Sequence, residues 1–156
     1  MNFLSHLFLS GNSEEILLGN FIADAVKGNM IIQFPPGIQQ GIVLHRKIDS
    51  FTDSHEIVER SKLRLRPIYK KYSPVITDVF YDHFLANKWE DYSDIPLSEY
   101  VQDIYELMNR NHHFLPEKTA QFNYYMQQNN ILEAYSRLEG IEKVLYGMSR
   151  RTPFES

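Results

Sequence analysis

Gly41-Ile-Val-Leu-His-Arg-Lys-Ile-Asp-Ser-Phe-Thr-Asp-Ser-His55 is the stretch on which the fold turns. His45, Asp49 and Asp53 recur every four residues, the interval that lines side chains along one face of an α-helix. Ile42, Val43, Leu44, Ile48 and Phe51 share the segment, so the helix is expected to be partly buried. One imidazole and two carboxylates beside a core are costly unless they pair with one another or bind a cation. The pattern recurs outward from this stretch. Asp78, Asp82 and His83 lie in the apolar segment 77–86, Asp24 follows the apolar run 16–23, and His6 lies within the apolar run 3–9. Four apolar segments that each carry a hard-metal ligand predict a metal site inside a helical bundle.

The chain has 156 residues, enough for one domain with a core, and its 43% hydrophobic and 13% aromatic content is that of a globular protein. It contains no cysteine, which excludes disulfides, thiolate zinc sites and a cysteine nucleophile. A metal would be held by His and carboxylates, a donor set that suits manganese, magnesium, iron or zinc. No apolar run approaches the roughly 18 residues of a membrane span, and the first residues lack the basic start of a secretory signal. A cytoplasmic protein without membrane contact is expected. The formal charge of −4 argues against general nucleic-acid binding.

The remaining helices follow from local signals. Asn12 with Glu15 resembles a capping box opening a helix to about residue 27, followed by a loop over 28–36. A helix over about 38–53 precedes a break at 54–56 and a basic helix to about residue 66, ahead of Pro67. Ser73-Pro74 reads as an N-cap and first helical position of a helix to about residue 89. Helices over about 97–109, 116–128 and 131–146 complete the reading. No convincing alternating strand is present, so the expected architecture is all-α, a single-domain bundle of about six to eight helices.

Each site residue has two readings. Asp24 is a metal ligand or a helix-end carboxylate. His45 and Asp49 form a site pair or a helix-surface ion pair. Asp53 is a ligand or the cap of the helix starting near His55. Asp78 is a site residue or a favourable partner of a helix N-terminus. Asp82, mid-helix among aromatics, favours a site role. His83 and His6 are ligands or hydrogen-bonded core histidines. His112 and His113 lie in a turn-like stretch and are expected in solvent. Arg46 and Lys47 adjoin the site and are candidate phosphate contacts, although neighbours on a helix point in different directions, so at most one serves. No Gly-x-Ser-x-Gly elbow or phosphate-binding glycine loop is present. The donor set fits metal-assisted phosphoester hydrolysis, in which a cation activates water and stabilises charge on phosphoryl oxygens.

Four blocks carry a resemblance. Met1-Asn-Phe-Leu-Ser-His-Leu7, Leu18-Gly-Asn-Phe-Ile-Ala-Asp24, the 41–55 stretch and Tyr81-Asp-His-Phe-Leu-Ala86 resemble the bacterial acyl carrier protein phosphodiesterases. The resemblance implies a helical fold related to the HD-type metal-dependent phosphohydrolases. It also implies removal of 4′-phosphopantetheine from holo acyl carrier protein, with manganese as the metal. Carried onto these blocks, Asp24 would be a catalytic or metal-binding carboxylate, and the His45-Asp49-Asp53 and Asp82-His83 clusters would belong to the same site. Together with the residue pattern, this gives Asp24, His45, Asp49 and Asp82 as catalytic candidates, and the same four with Asp53, Asp78, His83 and His6 as metal-ligand candidates. One departure stands out: HD proteins use an adjacent His-Asp doublet, whereas the only such neighbours here are reversed, Asp82-His83.

Residues 60–71 hold six of the 16 basic residues and no acidic one. The segment is either a solvated helix face or a docking patch for the acidic carrier protein, through Arg60, Lys62, Arg64, Arg66, Lys70 and Lys71. Two competing functions remain: an HD-type phosphohydrolase of a small nucleotide or other phosphoester, and a non-enzymatic carrier-protein-binding module.

Overall fold

The computed structural model describes residues 2–151. Among them are nine α-helices and no strand: α1 (Phe3–Leu9), α2 (Glu14–Ile22), α3 (Pro36–Ser54), α4 (Glu56–Tyr69), α5 (Ser73–Asn87), α6 (Leu97–Arg110), α7 (Glu117–Gln128), α8 (Ile131–Ala134) and α9 (Leu138–Arg151). The chain is all-α, as the sequence predicts. Two short helices, α1 and α8, carry the count past the expected six to eight.

The α2–α3 crossing organises the molecule, and two glycines allow it. A Cβ on Gly41 would meet the Ile16 carbonyl oxygen and would lie 2.8 Å from the Gly19 Cα. A Cβ on Gly19 would meet the Ile38 carbonyl in the same way. The two backbones therefore touch. Asn20, next to Gly19, and His45, one helical turn beyond Gly41, are brought face to face. Neither neighbour is a flexible side chain that could swing aside, so Gly41→Ala should force the helices apart. The expected cost is about 1–3 kcal/mol of stability or more, read as a lower denaturation midpoint at unchanged slope.

The core gathers Leu4 and Leu7 of α1, Leu18 and Ile22 of α2, Ile38 and Ile42 of α3, Val79 of α5, Met108 of α6 and Met126 of α7, all almost fully buried. Phe3 stacks on Phe122 with ring centroids 4.5 Å apart, tying α1 to α7. α1 also packs on α2 and α5, so His6 is carried to the centre of the bundle.

Several boundaries differ from the sequence reading, for local reasons. Ser13, not Asn12, caps α2 by accepting from the Ile16 amide, and the helix gives way to a tighter 3-10 turn at Ala23–Ala25. A 3-10 segment, Gly28–Gln33, occupies the expected loop. His55 ends α3 and caps α4, its Nδ1 accepting from the Ile57 amide at 3.2 Å, so Asp53 is not the cap. Pro67 sits inside the last turn of α4 rather than ending it. The expected helix over 131–146 is broken at residues 135–137. There His83 donates from Nδ1 to the Tyr135 carbonyl at 2.6 Å, taking an acceptor that a continuous helix would need for itself.

Candidate metal centre

His6 from α1, Asn20 from α2, Asp24 just beyond it, and His45 and Asp49 from α3 line one cavity of about 350 Å³. Asp53 and Asp78 line it too, beside Phe3, Phe21 and Met148. Asp49 is the hub. Its Oδ1 lies 2.9 Å from His6 Nε2, and its Oδ2 lies 3.2 Å from His45 Nε2. Asp24 Oδ1 approaches the same His45 nitrogen at 3.2 Å. The two imidazoles stack, with centroids 3.9 Å apart and planes 12° from parallel. His6, His45 and Asp49 each offer a donor atom within 4.8 Å of the others, a grouping able to hold a metal ion.

The hydrogen-bond network fixes which His45 nitrogen faces the cavity ready to bind. Asn20 donates from Nδ2 to the His6 carbonyl at 2.9 Å and to Ser10 Oγ at 2.7 Å. Its Oδ1 is left as the acceptor opposite His45 Nδ1, at 2.8 Å. His45 therefore carries a proton on Nδ1 and turns the Nε2 position toward two carboxylates. A lone pair facing two anions is repelled, so a cation belongs at Nε2, either a proton or a metal. An imidazole held by an amide acceptor on its far nitrogen is the usual setting of a metal-ligating histidine. The residues present thus fit a divalent cation.

The same arrangement sets the charge states. Burial alone would lower the His45 pKa, but hydrogen bonds and attraction from Asp24 and Asp49 outweigh it and hold the group up at about 9. Burial would raise Asp49, but the two histidines overcome it and its pKa is lowered. The hydrogen bond from His45 keeps Asp24 low, while burial raises Asp78. In the metal-free protein the His45 imidazolium contributes stability that is fully present below its ordinary 6.5 and lost as pH rises through about 9. The Tm of chelator-treated protein should fall across that window, and His45→Gln should flatten the profile. An equally steep profile in the variant would place the titrating group elsewhere.

Other expected site residues are engaged away from the cavity. Asp82, fully buried, accepts from the Leu4 amide at 2.8 Å, from the Ser5 amide at 3.0 Å and from the Ser5 hydroxyl. It caps the start of α1 and does not line the cavity. Burial pushes its pKa up to about 6 despite the three donors. His83 bonds the Tyr135 carbonyl at the α8–α9 corner, so neither member of the reversed doublet lines the cavity. Arg46 donates to the Val26 carbonyl at 3.2 Å, and Lys47 lines a different cavity beside Gln39 and Gln40. His112 and His113 are exposed, as expected.

Half of the cations of the basic segment pair with carboxylates that precede it in the sequence. Lys62 is buried and pairs with Asp53 at 3.4 Å, while Arg60 pairs with Glu56 and Arg66 with Glu59 at 3.2 Å. Arg64, Lys70 and Lys71 remain exposed. Asn20 was missed among the site residues. Its only sequence signal was a buried-type position in an apolar helix, four residues before Asp24.

The fold and cavity define an all-α protein with a histidine–carboxylate centre of the kind that holds a metal. Comparison with known proteins narrows this. The model of the family described as acyl carrier protein phosphodiesterase matches residues 1–156. A Yersinia pestis protein named acyl carrier protein phosphodiesterase is 35% identical over 98% of this chain and 80% of its own length. Proteins of the same name from Enterobacter sp. (strain 638) and Klebsiella pneumoniae (strain 342) are each 36% identical over the same shares. No solved structure matches. The chain belongs to the acyl carrier protein phosphodiesterase family.

Proposed function

We propose that this chain is a metal-dependent phosphodiesterase that removes 4′-phosphopantetheine from holo acyl carrier protein, leaving the apo protein. The carrying observation is the His6–His45–Asp49 cluster with Asp24, set in a cavity of a chain that matches this family along its whole length. These four residues would hold the divalent cation, with manganese as the metal. When bound, the cation supplies Lewis acidity toward a phosphoryl oxygen.

The chain's own groups do the rest. Asn20 fixes the His45 tautomer and ring orientation. Asp49 orients both imidazoles at once. Asp78, whose pKa burial raises, is the wall carboxylate best suited to hold a proton for the departing oxygen. Stacked Phe3 and the Phe21 and Met148 side chains exclude water from the inner wall of the cavity. Residues 1–156 would work as one cytoplasmic domain. Among the described residues no helix is long and apolar enough to cross a membrane.

Holo carrier protein incubated with the chain and manganese should lose the mass of its prosthetic group, and chelation should stop the loss until manganese or magnesium is restored. Phosphate release from small phosphoesters with the carrier protein left intact would overturn the substrate assignment in favour of a small-ester hydrolase. Intact carrier protein and intact small esters would leave a binding module.

A further inference from the structure

Lys118, Lys143 and Arg150 line a groove of about 670 Å³ between α7 and α9. The chain carries 20 acidic residues against 16 basic ones, yet among the described residues no acidic side chain lines this groove. None of the three cations forms a salt bridge among the described residues. In α4, by comparison, Arg60, Lys62 and Arg66 are paired with carboxylates, which leaves Arg64 there, and Lys70 and Lys71 just beyond it, as the exposed cations of that segment. An acidic protein that leaves three cations uncompensated at one place has a positive site for an anionic partner.

The groove is also shaped for a protein surface. Tyr146, 63% exposed, lies under the Arg150 guanidinium, 6.0 Å from ring centroid to charge, and accepts a hydrogen bond from it at 3.3 Å. Tyr125 lies across the groove. A Cβ on Gly147 would come within 2.8 Å of its hydroxyl, so the floor is closely fitted. Exposed tyrosine and arginine beside Phe122 are the composition of a protein interface.

Position links the groove to the metal cavity. Phe122 lines the groove and stacks on Phe3, which lines the cavity. Gly147 lines the groove, and its neighbour Met148 lines the cavity. One aromatic wall therefore separates the two.

We propose that the α7–α9 groove docks the acidic surface of the protein substrate while its phosphoester occupies the metal cavity. This rests on the phosphodiesterase reading above. Docking is thereby moved from residues 60–71 to Lys118, Lys143 and Arg150.

The test is the triple charge reversal Lys118→Glu, Lys143→Glu, Arg150→Glu, assayed on holo carrier protein with manganese at low and high salt. Charges at an interface act chiefly on association and are screened by salt. KM should rise about tenfold or more at low salt and its salt dependence should flatten. Turnover at saturation should change by less than about twofold. The neutral triple variant to Gln gives an intermediate KM and guards against a reversal that disturbs folding, checked by the melting curve. A KM within about twofold of wild type in both variants overturns the proposal. If wild type leaves holo carrier protein intact, the phosphodiesterase reading fails. The groove is then judged by anisotropy of a labelled poly-glutamate peptide. Weaker binding by about tenfold in the reversal supports an acidic-surface site, and equal binding overturns it.

Discussion

Asp49→Ala should lower both manganese affinity and turnover by more than about 100-fold, beyond the range expected when a residue merely orients a ligand. The reason is its central place. One carboxylate holds His6 at 2.9 Å through one oxygen and His45 at 3.2 Å through the other. Its loss removes a donor from the cluster and leaves both stacked imidazoles without the carboxylate that orients them. Asp24 makes a useful contrast. It approaches the same His45 nitrogen, but its side chain is 84% exposed and can be replaced in part by water. Asp24→Ala should therefore cost turnover while sparing more of the metal affinity than Asp49→Ala. Asn20→Ala should fall between, at about 10–100-fold, because it touches the metal site only through His45. Isothermal titration with manganese on each folded variant reads the order. Full manganese affinity in Asp49→Ala would remove it from the centre.

Sequence periodicity reveals the elements and part of the site. The four-residue spacing of His45, Asp49 and Asp53 puts all three on one face of α3, and the structure has all three lining the cavity. His6 and Asp24 were visible because each interrupts an apolar run. Asp82 and His83 carry the same signal and bond elsewhere, away from the cavity. A buried polar residue announces only that it needs a partner. Whether that partner is a metal, a helix end or a stray carbonyl depends on which element packs against it. Asp82 meets the open N–H groups of α1, and His83 meets a carbonyl at a helix corner.

The charged segment shows a related limit. Residues 60–71 contain no acid, but the helix brings Glu56 and Glu59 beside Arg60 and Arg66, and packing brings Asp53 to Lys62. Local charge counts omit partners one or two helical turns away or on a neighbouring helix. The groove cations, in contrast, are scattered through the sequence at 118, 143 and 150 and become a patch only when α7 and α9 are side by side. Asn20 shows a further limit. Its value to the centre lies in which amide atom faces His45, and that is set by His6 on α1 and Ser10 at its C-terminal end.

Asp82→Ala should be the most destabilising single change considered, at about 3 kcal/mol or more. Two backbone amides at the start of α1 and the Ser5 hydroxyl point at this one carboxylate, which has no exposed surface. Alanine leaves these donors buried without an acceptor, and each orphan costs about 1–3 kcal/mol, reduced where a water enters the space. At this chain length each kcal/mol lowers the Tm by about 2–4 °C, so a fall of about 6–12 °C is expected. Ionisation is not what the residue contributes. Because burial raises its pKa to about 6, above the ordinary 3.8, the charged form is the costlier one, and its stability contribution declines as pH rises through about 6. Asp82→Asn keeps one acceptor oxygen and should recover part of the lost Tm. The functional effect follows through α1. His6 lies on the turn that Asp82 anchors, so the alanine variant should also bind manganese more weakly even where it remains folded. Since Asp82 does not line the cavity, that loss should be partly reversed by conditions that restore the helix, such as a stabilising osmolyte. A loss of metal binding at unchanged Tm would instead make Asp82 a direct ligand and overturn the capping role.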